Sequence, residues 1–210
     1  AGVVVRNRQT MAFALASTFL FGIMTGYVGS TQVIVDEVFD QGDLFPIIFG
    51  VLAIGLAFGS LLSGKLVLRV GLDRLVRYGA VYAVATTSVL AIVGVATDGH
   101  PPLWLFLVAS AVMLPSVTAL VPNTNTAAMA PLGHVAGMGA AIIGTISTIG
   151  GALLGSVLDA AYDGSVRPFA VGAVTFASLA AVAVLLAGRP ARTASIEELA
   201  DGEIVPALLD

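Results

Sequence analysis

The chain has 210 residues, of which 58% are hydrophobic and only 10% charged, and its mean hydropathy is +1.00. Soluble domains carry about 25% charged residues, so a water-soluble fold would have too little polar chain to cover this much apolar surface. The net charge of −4 is uninformative because the charges are sorted along the chain, and the lack of cysteine excludes disulfides, thiolate catalysis and Cys-ligated metals.

Residues 1–9 carry Arg6 and Arg8 and read as the end of a linker, with further chain expected before Ala1. Six long apolar stretches follow, at roughly 10–32, 45–67, 75–97, 103–122, 135–158 and 169–187. Each is near the ~20 residues that a helix rising ~1.5 Å per residue needs to cross ~30 Å of hydrocarbon. An acidic loop, Asp36 to Asp43, joins the first two, and Pro46 suits the first turn of the second. The basic loop Arg69-Val-Gly-Leu-Asp-Arg74 leads into the third, and Asp98-Gly-His-Pro-Pro102 separates the third from the fourth.

The fourth stretch contains Pro115 and is expected to bend there and to end near Pro122. Pro122-Asn-Thr-Asn-Thr126 and Pro131-Leu-Gly133 then read as a polar connection. The fifth stretch is rich in glycine, and Asp159 to Pro168 reads as a last loop on the acidic side. After residue 188 the chain turns polar and acidic, and Ser195-Ile-Glu-Glu198 fits a helix-capping box.

Of the nine Lys and Arg residues, all but Arg167 fall at alternate breaks: Arg6 and Arg8, then Lys65, Arg69, Arg74 and Arg77, then Arg189 and Arg192. The other side holds Arg167 with Asp36, Glu37, Asp40, Asp43, Asp98, Asp159 and Asp163. This positive-inside pattern puts both termini in the cytoplasm. The break from Asn123 to His134 has neither Lys nor Arg and bears on neither orientation.

Small residues at four-residue spacing (Gly22 and Gly26; Gly55, Gly59 and Ser63; Gly151 and Gly155) predict close helix contacts. Gly59-Ser-Leu-Leu-Ser-Gly64-Lys65 matches most of a phosphate-binding loop. Leu66 stands where Ser or Thr would hold Mg²⁺, and the segment lies inside an apolar helix, so no nucleotide site is expected. His100 and His134, the two histidines, fall on opposite sides of the membrane and cannot share a metal.

No catalytic constellation, cofactor or metal site is expected, and the chain reads as a non-enzyme. No ionisable residue lies in a span core, where such groups mark proton and ion paths, so a coupling carboxylate is expected in chain outside these residues. Candidates for lining a cavity are therefore neutral: Thr18, Thr25, Tyr27 and Gln32; Ser110, Met113 and Thr118; Thr145, Ser147 and Thr148. The competing role for each hydroxyl is a bond to its own helix or a neighbouring one.

Gly59-Ser-Leu-Leu-Ser-Gly-Lys-Leu-Val-Leu-Arg-Val-Gly-Leu-Asp-Arg74 resembles the signature loop of the major facilitator superfamily, with Gly64, Arg69 and Gly71 on the pattern and Asp73 and Arg74 completing the loop. Leu68 stands where the first-half copy usually has Asp, which points to the second-half copy. Leu120 to Pro131, His134-Val-Ala-Gly137 and Gly151-Ala-Leu-Leu-Gly155 look like the tenth-to-eleventh-helix region of the Bcr/CflA-type drug-resistance transporters, and Arg6-Asn7-Arg8 like the end of their central loop.

The resemblance covers about residues 5–188. It implies an all-α membrane protein whose six transmembrane helices, residues 10–188, form the C-terminal half of a twelve-helix transporter in a bacterial-type plasma membrane. Residues 189–210 would be a cytoplasmic tail. It also implies proton-driven efflux of small hydrophobic or cationic compounds, with membrane lipid and an N-terminal six-helix half as partners and no nucleic acid. The alternatives are a self-contained six-span scaffold or a homodimeric half-transporter.

Overall fold

A computed structural model describes residues 6–188; the basic residues Arg189 and Arg192 and the expected capping box at Ser195 lie outside them, as does the side chain of His134. The described residues form six long helices: α1 (Arg8–Val33), α2 (Phe45–Val70), α3 (Leu72–Ala96), α4 (Leu103–Met129), α5 (Ala136–Ala160) and α6 (Arg167–Ala187). All six are long and apolar enough to cross a membrane.

Local chemistry sets the ends. The Asn7 side chain caps α1 by accepting from the Thr10 N–H at 3.1 Å. A π-helical turn, Ile34–Val38, prolongs α1, and the chain then reverses through Asp40 at φ 54°. Pro46 sits in the first turn of α2, where its missing N–H had no helical partner. Gly71, at φ 82°, ends α2 and starts α3 in a single residue, a backbone region that a Cβ disfavours.

The fourth helix departs from expectation. It does not stop near Pro122 but runs through both Pro115 and Pro122 to Met129. Asn123 and Thr124 are therefore buried helical residues rather than loop residues. A 3₁₀ turn, Ala130–Val135, then leads into α5. Asp159 likewise belongs to the last turn of α5.

α1 is the most enclosed span, burying Phe13, Leu20, Ile23 and Tyr27 against α4, α5 and α6. Its neighbour pattern is mirrored by α4, which packs on α1, α2 and α3. α3 and α6 pack on each other, so α1, α4, α3 and α6 close a ring of four. α5 lies outside on α1 and α2 outside on α4. Exchanging α1–α3 with α4–α6 leaves this pattern of principal neighbours unchanged.

Contacts also give the directions. Thr18 meets Gly150 and Gly26 meets Leu158, so α1 and α5 are parallel. Gly59 meets Pro115 and Ser63 reaches Asn123, so α2 and α4 are parallel. Ser17 meets Thr124 while Phe39, just beyond α1, meets Phe106, and Phe19 meets Phe176 while Tyr27 meets Phe169, so α1 is antiparallel to α4 and α6. The two three-helix units therefore run in opposite senses. Arg8, Lys65, Arg69, Arg74 and Arg77 gather at one end, and Asp36, Asp43, Asp98 and Asp159 at the other.

Candidate functional site

Polar groups converge on α4. Residues 116, 120, 123 and 124 share a face at helical spacing. Asn123 Nδ2 donates to Ser63 Oγ of α2 and to the Ala119 carbonyl, both at 2.6 Å, and Ser63 Oγ donates to Ala119 O at 3.2 Å. Ser17 Oγ of α1 donates to Thr124 Oγ1 at 2.7 Å. Thr86 Oγ1 of α3 and Ser116 Oγ lie 3.1 Å apart. One helix is thus tied to three others by side-chain hydrogen bonds, in a lipid setting where each such bond is worth roughly 0.6 kcal/mol on average. Sequence reasoning missed this seam because the Pro122 segment looked like a connection; the signal was the spacing from Ser116 to Thr124.

The α1–α5 contact rests on small residues. A Cβ at Gly151 would lie 2.6 Å from Phe21 Cδ1, and one at Gly155 2.8 Å from Thr25 Cβ. Thr25 Oγ1 lies 2.9 Å from Gly151 O and 3.0 Å from Phe21 O, sharing one proton between its own helix and α5. A Cβ at Gly59 would lie 2.6 Å from Pro115 Cα in the equivalent α2–α4 contact. Gly55 differs: a Cβ there meets nothing within 4 Å, and Gly64 is equally open.

The expected lining residues do not gather around one cavity. Thr18 is buried and bonds Ala14 O at 2.8 Å, and Thr118 is half-buried and bonds Leu114 O at 3.0 Å. Tyr27, Ser110, Met113 and Ser147 are buried in helix contacts. The hydroxyls of Ser110 and Ser147 find no partner among the described residues. Thr145 and Thr148 on α5 and Gln32 on α1 are exposed. Gln32 joins Asp36, Asp40 and Asp43 around a hollow of about 430 Å³ at the acidic end.

At the same end Ser30 Oγ donates to Asp159 Oδ1 at 2.6 Å, across a contact where a Cβ on Gly29 would lie 2.7 Å from the carboxylate carbon. Arg167 pairs with Asp98 at 2.6 Å and joins the α3–α4 and α5–α6 connections. Burial, then the negative charge of Glu37 and Asp163, pushes the Tyr162 phenol up to about 12.

At the basic end Arg77 Nε pairs with Asp73 at 2.8 Å, one turn apart on α3. Arg69 and Arg74 are exposed and form no ion pair among the described residues. A recess of about 850 Å³ opens between α2 and α3 over α4. Of the expected site residues, only Gly59 and Arg74 reach it.

No protein-family profile matches the chain, and no solved structure matches it. Over 159 residues, 75% of its length, it is 26% identical to YdgK, an uncharacterised MFS-type transporter of Bacillus subtilis (strain 168). The chain spans 38% of the length of that relative. The six apolar spans in two opposed three-helix units make this a multi-pass membrane-type fold, and the chain is similar over most of its length to a protein described as an MFS-type transporter.

Proposed function

We propose that this chain is the C-terminal six-helix half of a twelve-helix facilitator that exports small hydrophobic or cationic compounds in exchange for protons. The observation that carries the reading is the inverted three-plus-three arrangement, with α1 and α4 exchanging roles. Secondary transporters nest such repeats inside each half and move the halves by alternating access. The likeness to an MFS-type transporter agrees with it.

The two outlying helices supply the rest of the support. α2 and α5 are the least covered of the six spans, so a second bundle can seat against them. Thr145 and Thr148 face outward from α5 and could then line a shared cavity. Carboxylates at the acidic end favour cations there. The basic loop carrying Gly64, Arg69, Gly71, Asp73 and Arg74 serves as the cytoplasmic gate, and the coupling carboxylate is assigned to the upstream half.

The test is ethidium efflux from a host lacking its own pumps, expressing the complete reading frame. Efflux that stops when a protonophore collapses the gradient is expected. Efflux indifferent to the protonophore would remove proton coupling, and none with a panel of lipophilic cations would remove drug export.

A further inference from the structure

The 850 Å³ recess has a shape and chemistry that the transport reading leaves unused. It lies to the side of the four-helix ring, between α2 and α3, which barely touch although joined by a single residue, Gly71. α4 forms its floor. Gly59 and Gly79 keep the walls low, and Phe58, Tyr78 and Tyr82 give them aromatic faces.

The two serines that border the recess, Ser63 of the α2 wall and Ser116 of the floor, are already engaged. Ser63 is engaged with Asn123 and Ala119 O, and Ser116 with Thr86 and Met113 O. What remains is mostly hydrocarbon, with the phenols of Tyr78 and Tyr82 on the α3 wall and one charge, Arg74, at the end where α2 meets α3. Arg74 is exposed and unpaired among the described residues, and Lys65 and Arg69 stand at the same end of α2.

Length fixes the class of occupant. The α2 wall runs from Phe58 to Val70, which at ~1.5 Å per residue is ~18 Å. Half of a ~30 Å hydrocarbon core is ~15 Å. The recess is therefore one leaflet tall, closed by a cation where that leaflet meets water. A soluble drug-like molecule has no need of that height.

We propose that the recess between α2 and α3 holds an acyl chain of an anionic glycerophospholipid, whose phosphate sits on Arg74. The lipid comes from the leaflet facing the α2–α3 loop. The occupied groove braces two helices that otherwise make little contact, and it places a lipid headgroup beside Gly71.

Native mass spectrometry of the purified product of the complete reading frame tests this with phosphatidylglycerol and phosphatidylcholine of identical acyl chains. Phosphatidylglycerol should be retained about fivefold better, the discrimination that one surface cation gives. Arg74→Gln, at an exposed side chain, should abolish that preference. Ala111→Phe, at an exposed position toward the far end of the groove, should lower retention of both lipids. Equal retention of the two lipids by the unaltered chain would overturn the proposal, as would an unchanged preference in R74Q. Undiminished retention in A111F would show that bound lipid lies elsewhere on the helices, or that a protein surface covers this groove.

Discussion

Asn123 sits in the polar seam of α4 and donates two hydrogen bonds. It joins α4 to α2 and folds a carbonyl of its own helix into the same network. Asn123→Ala should destabilise the protein by about 1 kcal/mol, the scale of an interhelical hydrogen bond in lipid, read as a lower melting midpoint in detergent. Ser147→Ala should leave that midpoint unchanged or raise it, because a buried hydroxyl without a partner contributes desolvation cost and no bond. Residue roles were the least legible part of the sequence for this reason. Thr18, Thr118 and Ser147 are the same kind of polar residue on paper. Which of them faces a cavity depends on helix rotation, and two of the three turn out to bond their own backbone. Gly71 was readable, because the turn between two spans demands a φ that only glycine adopts easily, and it has φ 82°. Gly71→Val should impair transport while membrane insertion, measured by membrane fractionation, stays intact. Unchanged transport would reject a gating role for the loop.

At the scale of the element, the spans were legible and one boundary was not. Hydropathy and length alone locate six helices, because a continuous apolar run of about 20 residues satisfies its own backbone polar groups in lipid as a helix. The error lies in α4, where Pro122 followed by Asn, Thr, Asn and Thr obeys the rules for a loop in water. In this bundle the same residues continue the helix, since Asn123 and Thr124 find partners on α2 and α1, and a proline inside a membrane helix is tolerated when neighbours support it. Glycine spacing was a partial guide. Gly59 lies against Pro115 backbone, whereas Gly55, one turn earlier, faces open space. Gly59→Val should therefore cost about 1–3 kcal/mol, the usual penalty for overpacking, and push α2 off α4. Gly55→Val should cost little in the chain by itself. Comparing the thermal midpoints of the two variants checks the packing directly, and equal losses would contradict it.

For the whole molecule, the opposed arrangement of α1–α3 and α4–α6 could not be read from the sequence, because it resides in which helices touch. The sorting of charge could. Both lines of argument meet at the two ends of the bundle. Arg8, Lys65, Arg69, Arg74 and Arg77 share one end by virtue of the helix directions, while Asp36, Asp40, Asp98, Asp159 and Asp163 share the other. Cytoplasmic loops carry the excess of Lys and Arg, since moving such charges across the bilayer is what insertion avoids. The orientation proposed on this rule has the α2–α3 loop in the cytoplasm and the acidic hollow beside Gln32 facing outward. The native chain has no cysteine, so single cysteines report position without a background. A cysteine at Asp40 or Asp163 in intact cells should react with a membrane-impermeant maleimide. One at Arg74 should react only after the membrane is opened. Asp40 and Asp163 lie in connections rather than in helices; Asp163 also accepts from Ser165 just before α6, so the Asp40 position is the cleaner reporter. The reverse labelling pattern would invert the molecule, moving the proposed gate and the proposed lipid groove to the outer leaflet together. Mixed labelling at all three positions would mean that charge does not set the orientation of this bundle.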